Sequence, residues 1–351
     1  MKLNEVVELS LLVTGSHLSE HFGMTVQEIE KDGFSTIIRV PILDEEGTAH
    51  RMAKGLSQMA EVLEQLNPDL FILLGDRYEC LAAAIAATTL HIPICHIHGG
   101  EITLGAMDEM FRHAITKLSH LHFTSTDEYA KRVIQMGEAP VRVHAVGALG
   151  VENARELTPM TEDEIEKRLG FIPVRPILVT YHPETMSESP LRGCNNLCKA
   201  LLERDEEIII TGANADELGE AFNSLYKSLA EKKENIHYYD SLGLHLYMSL
   251  LGRASCVVGN SSSGILEAPS FGIATLNIGE RQRGRIQASS VINVSEEMDE
   301  IRRGLERALS YQPEASLKNP YEGEHTSARM TEIILAYLQG EPQLIKEFYD
   351  V

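Results

Sequence analysis

Short apolar runs alternate with longer amphipathic segments along almost the whole chain, the pattern expected of strands and helices taking turns. Val7–Val13, Ser35–Val40, Leu70–Leu74, Ile94–Ile97, Leu121–Thr124 and Val141–Ala145 are predicted strands. The predicted helices between them are Leu18–Lys31, Met52–Leu66, Cys80–Thr89, Met107–Ser119 and Tyr129–Met136. The polar stretch Thr158–Pro176, with Pro159, Pro173 and Pro176, reads as a hinge. A second series follows it, with predicted strands Ile177–Thr180, Glu207–Thr211, Ile236–Tyr238, Cys256–Gly259 and Thr275–Ile278. Its predicted helices are Leu191–Leu202, Glu217–Glu231, Leu244–Leu251 and one starting over Ser262–Ser270. Ser327–Leu338 and Pro342–Phe348 read as helical and are expected to cross back onto the first series. Such alternation predicts right-handed βαβ units, hence an α/β fold of parallel sheets with helices on both faces. The expected divisions are 1–158, 159–335 and a C-terminal helix over 336–351.

At 351 residues the chain exceeds what one hydrophobic core usually organises, consistent with two domains. Its 43% hydrophobic and 24% charged content is that of an ordinary globular protein. A net charge of −21 disfavours nucleic acid and anionic membrane as partners, and requires any phosphate site to be a local concentration of Arg, His and backbone N–H groups. No apolar stretch approaches the ~20 residues needed to span a bilayer. The five cysteines are scattered, which suggests reduced thiols and a cytoplasmic location. Cys194 and Cys198 lie one helical turn apart without a second ligand pair, so no metal site is expected.

Candidate chemistry concentrates where strands end, because ligands of parallel sheets bind beyond the carboxyl ends of their strands. The runs ending in Leu73-Leu74 and Ile97 are followed by Gly75-Asp76-Arg77 and His98-Gly99-Gly100-Glu101, with Asp108-Glu109 shortly after. An N-cap and a plain turn would account for each motif singly. Two successive strand ends with clustered carboxylates instead suit proton abstraction, where one group acts as base and another as acid. Asp108 and Arg112, four apart on a helix, would ordinarily form a salt bridge. In the second series, Gly259-Asn260-Ser261-Ser262-Ser263-Gly264 offers small residues and hydroxyls at a helix start, which suits an anion. Glu267 follows and could accept from a ribose diol, though an isolated Glu is more often solvated. Arg281, Arg283 and Arg285 lie in a loop that begins at Gly279, the expected counterpart of a diphosphate. His182-Pro183 and Asn214 follow two further strands and face the same crevice.

The residues resemble the hydrolysing UDP-N-acetylglucosamine 2-epimerases that supply N-acetylmannosamine for sialic acid synthesis. The resemblance runs through Thr14-Gly15-Ser16-His17-Leu18, LGDR, HIHGGE, DEMFRHAITKLSHLHFTST, Val146-Gly147-Ala148-Leu149-Gly150, YHPET, GNSSSGI, IGERQRGR and Phe348-Tyr349-Asp350. It implies a GT-B arrangement of two Rossmann-like domains with the active site between them. It implies UDP held by Arg77, His182, Asn214, Ser261, Ser262, Glu267 and Arg281, and acid/base roles for Asp76 and Asp108, with Glu101 and Glu109 as further participants. His98 stands where the family commonly has Glu, and a neutral imidazole can still accept a proton. The family also begins with one more strand, whose Thr-Gly-Thr-Arg-like loop contacts phosphate, so a βα unit of about 30 residues is expected to be absent here.

The activity so implied converts UDP-N-acetylglucosamine to UDP and N-acetylmannosamine through 2-acetamidoglucal, with His182, Arg281 and the Ser261-Ser262 backbone stabilising the departing diphosphate. No cofactor is expected, and a homo-oligomer, dimer or tetramer, is. The same chemistry on a 2,4-diacetamido-2,4,6-trideoxy relative is one rival. A retaining glycosyltransferase, which shares fold and donor but needs an acceptor, is another. A third is a shortened chain that binds UDP without turnover.

Overall fold

The computed structural model describes residues 2–104, 106–184, 189–213, 218–340 and 344–351. In its N-terminal half, strands β1 (Ser10–Thr14), β2 (Thr36–Val40), β3 (Phe71–Leu74), β4 (Ile94–Ile97), β5 (Leu121–Thr124) and β6 (Val143–Ala145) alternate with helices α1 (Val26–Lys31), α2 (Thr48–Leu66), α3 (Tyr78–Thr89), α4 (Asp108–Leu118) and α5 (Asp127–Gln135). Helices α6 (Leu149–Glu156) and α7 (Glu162–Leu169) lead into the second half. There β7 (Ile177–Thr180), α8 (Arg192–Leu202), β8 (Ile208–Thr211), α9 (Gly219–Ala230), β9 (Ile236–Tyr239) and α10 (Gly243–Leu251) come first. They are followed by β10 (Cys256–Gly259), α11 (Ser263–Leu266), β11 (Ala274–Ile278), β12 (Val291–Val294), α12 (Met298–Leu309) and α13 (Thr326–Gln339).

All described strand pairs are parallel. The N-terminal half carries a four-stranded sheet, β3-β4-β5-β6, and a separate β1-β2 pair, so β3 is an edge. The second half carries a six-stranded sheet in the order β12-β11-β10-β7-β8-β9. Chain order runs outward from its centre in both directions, so the topological switch point lies between β7 and β10. In open parallel sheets that is where a crevice opens at the carboxyl ends and ligands bind. Ile177, Val179, Ile208, Ile210, Cys256 and Val258 face one core of this sheet, under α8, α9 and α12. Leu178, Ile209 and Val257, alternate residues of the same strands, face another, under α7 and α10.

Several sequence expectations differ from the structure. Within Leu18–Lys31 only α1 is α-helical, because Gly23 (φ 86°) and Met24 (φ 45°) are left-handed and break the segment into short turns. The polar hinge contains a helix, α7, closed by a capping box between Thr161 and Glu164, with Ile165 buried under the six-stranded sheet. Its polar composition is that of an exposed helix face. The C-terminal helix, α13, ends at Gln339, and no helix occurs in 344–351. Of the expected Pro342–Phe348 helix, Pro342 and Gln343 lie outside the described residues. The tail is tied to the N-terminal half: Lys346 donates to the Ser119 carbonyl (2.7 Å) and to Glu138, and the Tyr349 N–H donates to Gly137 O (2.9 Å). Helix α13 packs Met330 and Ile334 against Cys95, Ile97 and Phe123 of the four-stranded sheet.

The two halves share a small core of their own, in which Tyr129, Ala148 and Val151 meet Ile265, Leu266 and Tyr321. Gly150 makes the close approach feasible: a Cβ there would lie 2.1 Å from Glu267 Oε1. No described helix is long and apolar enough to cross a membrane.

Candidate active site

Two strand ends of the first sheet supply acids and an imidazole. Asp76 follows β3 and left-handed Gly75 (φ 89°), one residue before the N-cap of α3. His98 follows β4 and is itself left-handed (φ 69°), a conformation that costs a residue with a Cβ on the order of 1 kcal/mol or more. Asp108 and Glu109 open α4, whose Arg112 is buried. The Arg112 guanidinium gathers the acids by donating to Asp76 Oδ2, to Glu109 Oε2 (3.0 Å) and to Thr103 Oγ1 (2.5 Å). Within α4 the partner of Arg112 is Glu109, three residues before it, and a second pairing bridges α4 to the end of β3. Burial would raise the Glu109 carboxyl, but His113, the Thr103 N–H and Arg112 together hold it below the usual carboxylate range.

Glu101 is buried as well, and its oxygens are occupied. Oε1 lies 2.6 Å from His98 Nδ1 and accepts from Ser125 Oγ (2.7 Å), while Oε2 lies 3.0 Å from Arg285 Nη2 of the other half. Burial opposes ionisation, yet the Arg285 charge and then His98 outweigh it and hold this carboxyl well below the usual range. Such a group stays an acceptor.

The second sheet brings its polar residues to the switch point. Gly259 ends β10 with φ 137°, and a Cβ there would lie 2.0 Å from Thr180 O at the end of β7. Only glycine lets these two strand ends meet. Asn260 then clamps the buried His182 from both sides, its Oδ1 accepting the His182 N–H (2.7 Å) and its Nδ2 donating to the His182 carbonyl (2.9 Å). Ser261 and Ser262 precede α11, a single turn of helix rather than the longer one expected, and the Ser263 N–H donates to Ser261 Oγ (3.4 Å). Glu267 caps that turn, and burial raises its carboxyl. Arg77, the N-cap of α3, donates to Glu79 (3.0 Å). Asn214 lies outside the described residues.

The arginine loop does not act as one unit. Arg281 Nη1 donates to the Asn260 carbonyl (3.1 Å), which keeps it beside the serines, while Arg283 is exposed and paired with Glu280. Arg285 turns into the first half. The loop is seated by Glu184, whose Oε1 accepts the N–H groups of Glu280 (2.7 Å) and Arg281 (3.2 Å). Arg112, Asn260, Glu184 and Arg285 therefore belong to the site's framework. Asn260 was signalled by its motif, but Glu184 and Arg285 carry no sequence signal that separates them from neighbouring charges. Among the described residues no group of three or more His, Cys, Asp or Glu side chains is placed to hold a metal ion.

A GT-B-type α/β enzyme, with acids on one half and an anion-suited crevice on the other, is the class that this fold and site define. Residues 1–335 match the UDP-N-acetylglucosamine 2-epimerase family, and the chain belongs to it. It is 36% identical over 357 residues to polysialic acid biosynthesis protein P7 of Escherichia coli, covering 98% of this chain and 90% of that protein. Identity is also 36%, over 315 residues, to the GDP/UDP-N,N'-diacetylbacillosamine 2-epimerase (hydrolyzing) of Campylobacter jejuni, covering 87% and 80%. The fold matches the crystal structure of Methanocaldococcus jannaschii UDP-GlcNAc 2-epimerase in complex with UDP-GlcNAc and UDP, with TM-score 0.76, 15% identity and coverage of 95% and 94%.

Proposed function

We propose that the chain hydrolyses and epimerises UDP-N-acetylglucosamine to UDP and N-acetylmannosamine. The observation that carries this reading is the buried Arg112, which draws Asp76 and Glu109 together at the strand ends that also bear His98. A C–H beside an acetamido group is a weak acid, so its removal needs a base held against the sugar and a second group ready to return a proton. In the first half-reaction a group among Asp76, His98 and Asp108 takes the C2 proton. The C1–O bond then breaks, its electron pair leaves with UDP, and a C1–C2 double bond forms. In the second, water adds at C1 and a proton is delivered to C2 from the opposite face. His182, Ser261, Ser262, Glu267 and Arg281, with Arg77 from the facing half, are the proposed UDP contacts, and the charge growing on the diphosphate is met by Arg281 and backbone N–H groups.

A second substrate, the UDP-linked 2,4-diacetamido-2,4,6-trideoxy sugar, is favoured by one specific observation: identity to the Campylobacter relative equals that to the Escherichia one. Incubation with each UDP-sugar in D₂O tests both readings. N-acetylmannosamine carrying deuterium at C2 is the expected product. Exclusive turnover of the diacetamido sugar would transfer the same mechanism to that substrate. Product that keeps its original C2 hydrogen, with internal return excluded by C2-labelled substrate, would overturn the elimination route.

A further inference from the structure

Arg285 is the least explained charge in the molecule. Its side chain is 7% exposed, and it crosses from the second half to pair with Glu101, itself 2% exposed. Its Nε and Nη1 have no hydrogen-bond partner among the described residues. Burying a guanidinium with most of its donors idle is poor design for stability, because the desolvation penalty is incompletely offset. Its placement is nonetheless tightly determined. The next peptide is held by a closed circuit: the Ile286 N–H donates to Tyr129 Oη (3.0 Å), and Tyr321 Oη donates to the Ile286 carbonyl (2.7 Å). With the Tyr321 proton so used, Tyr129 must donate across the 3.0 Å between the two hydroxyls. All three protons are assigned, and two tyrosines from different parts of the chain fix the backbone that carries Arg285.

What Arg285 holds is the group behind His98. Glu101 accepts from Ser125 and faces His98 Nδ1 on one oxygen, and meets Arg285 on the other. An ionised carboxylate can only accept, so His98 donates through Nδ1–H, and in the neutral ring that leaves the lone pair on Nε2. His98 holds a left-handed backbone in this arrangement, a strain that the surrounding contacts must maintain. We propose that Arg285 is a positioning residue that, through Glu101, sets the tautomer and orientation of His98, so that this imidazole is competent only while the Gly279–Arg285 loop is seated on the first half. Arg281 lies on the same loop, so nucleotide contact and proton-transfer competence share one structural element. The inference rests on the reading of His98 as a proton-transfer group.

The test separates the two. In protein labelled with ¹⁵N-histidine, the His98 resonances, identified by their loss in His98→Gln, report the tautomer of the resting enzyme without any substrate. Wild type is expected to show the Nδ1–H form, Arg285→Met a mixture of tautomers, and Arg285→Lys recovery of the wild-type form. Because Arg285→Met leaves Glu101 buried and unpaired, the double variant Arg285→Met/Glu101→Gln provides a folded companion with the same loss of tautomer control. In both Met variants kcat is expected to fall about 100-fold, the low end for a lost general acid or base, with UDP affinity within about threefold. An unchanged His98 tautomer in the Met variants would overturn the positioning role whatever the activity. Altered tautomers with unchanged kcat would instead uphold positioning and remove His98 from the chemistry.

Discussion

Asp108 stands beside a neighbour that is already engaged: Glu109 is held by Arg112, the Thr103 N–H and His113. If proton transfer falls to Asp108, Asp108→Asn should lower turnover by about 10²–10⁴-fold while calorimetric UDP affinity stays within a few-fold. A folded variant that no longer binds UDP would assign Asp108 to the nucleotide instead. Arg281→Ala should show the opposite division, weakening UDP by about 1.5–3 kcal/mol, the range for a hydrogen bond to a charged group. Unchanged affinity would leave the loop a structural role only. The places of Asp76 and His98 just after β3 and β4 were legible in the sequence, because apolar runs announce strand ends and strand ends of a parallel sheet converge. Which of three loop arginines turns inward was not legible. That depends on Glu101 and two tyrosines, and Tyr321 lies 192 residues along the chain from its hydroxyl partner Tyr129.

At the scale of elements, the crevice depends on how closely α6 and α11 can approach, and Gly150 sets that distance. A methyl group there would meet the end of the Glu267 side chain, which can swing away more readily than the helices can separate. Gly150→Ala should therefore leave the melting temperature within a few degrees and displace the Glu267 carboxylate. With Glu267 as a ribose contact, UDP affinity should fall about tenfold, and Glu267→Gln in the same background should add little, since both changes remove one interaction. Additive losses in isothermal titrations of the two single variants and the double variant would show that they act separately. Helix α6, like α7, α12 and strand β12, has no counterpart among the sequence-predicted elements. The Ala148-Leu149-Gly150 run is too short and too small to show a helical period, and α7 was hidden in a segment whose prolines and charges read as a linker. Period alone does not explain every miss: α12 buries one face through Ile301, Leu305 and Ala308, a one-sided pattern as clear as that of α4 or α5.

The whole molecule should record its buried histidines as a loss of stability in acid. His96 is fully buried on β4, with Nε2 2.8 Å from the Gly75 carbonyl and Nδ1 3.2 Å from Thr116 Oγ1, directly beneath the turn that carries Asp76. Burial lowers its pKa to about 3 against the partial opposition of the Gly75 carbonyl, and burial also lowers His122 on β5 despite Glu138. The unfolded chain protonates these rings near 6.5, so between about pH 6.5 and 3 it binds protons that the folded state refuses. The stabilisation is complete above pH 6.5 and declines as pH falls, by up to about 1.4 kcal/mol per pH unit for His96 alone. Urea denaturation of wild type and His96→Gln at pH 7.5 and pH 5 isolates this contribution. Gln retains a donor and an acceptor but does not titrate, so the stability gap between the two proteins should be largest at pH 7.5 and should narrow by more than 1 kcal/mol at pH 5. A gap independent of pH would mean that His96 takes up its proton over the same pH range in the folded and the unfolded chain, and a gap that widens at pH 5 would mean that the fold protonates it more readily. In either case a positive charge would lie beneath the Asp76 turn at pH 5, and the electrostatics of the first strand end would have to be redrawn around it.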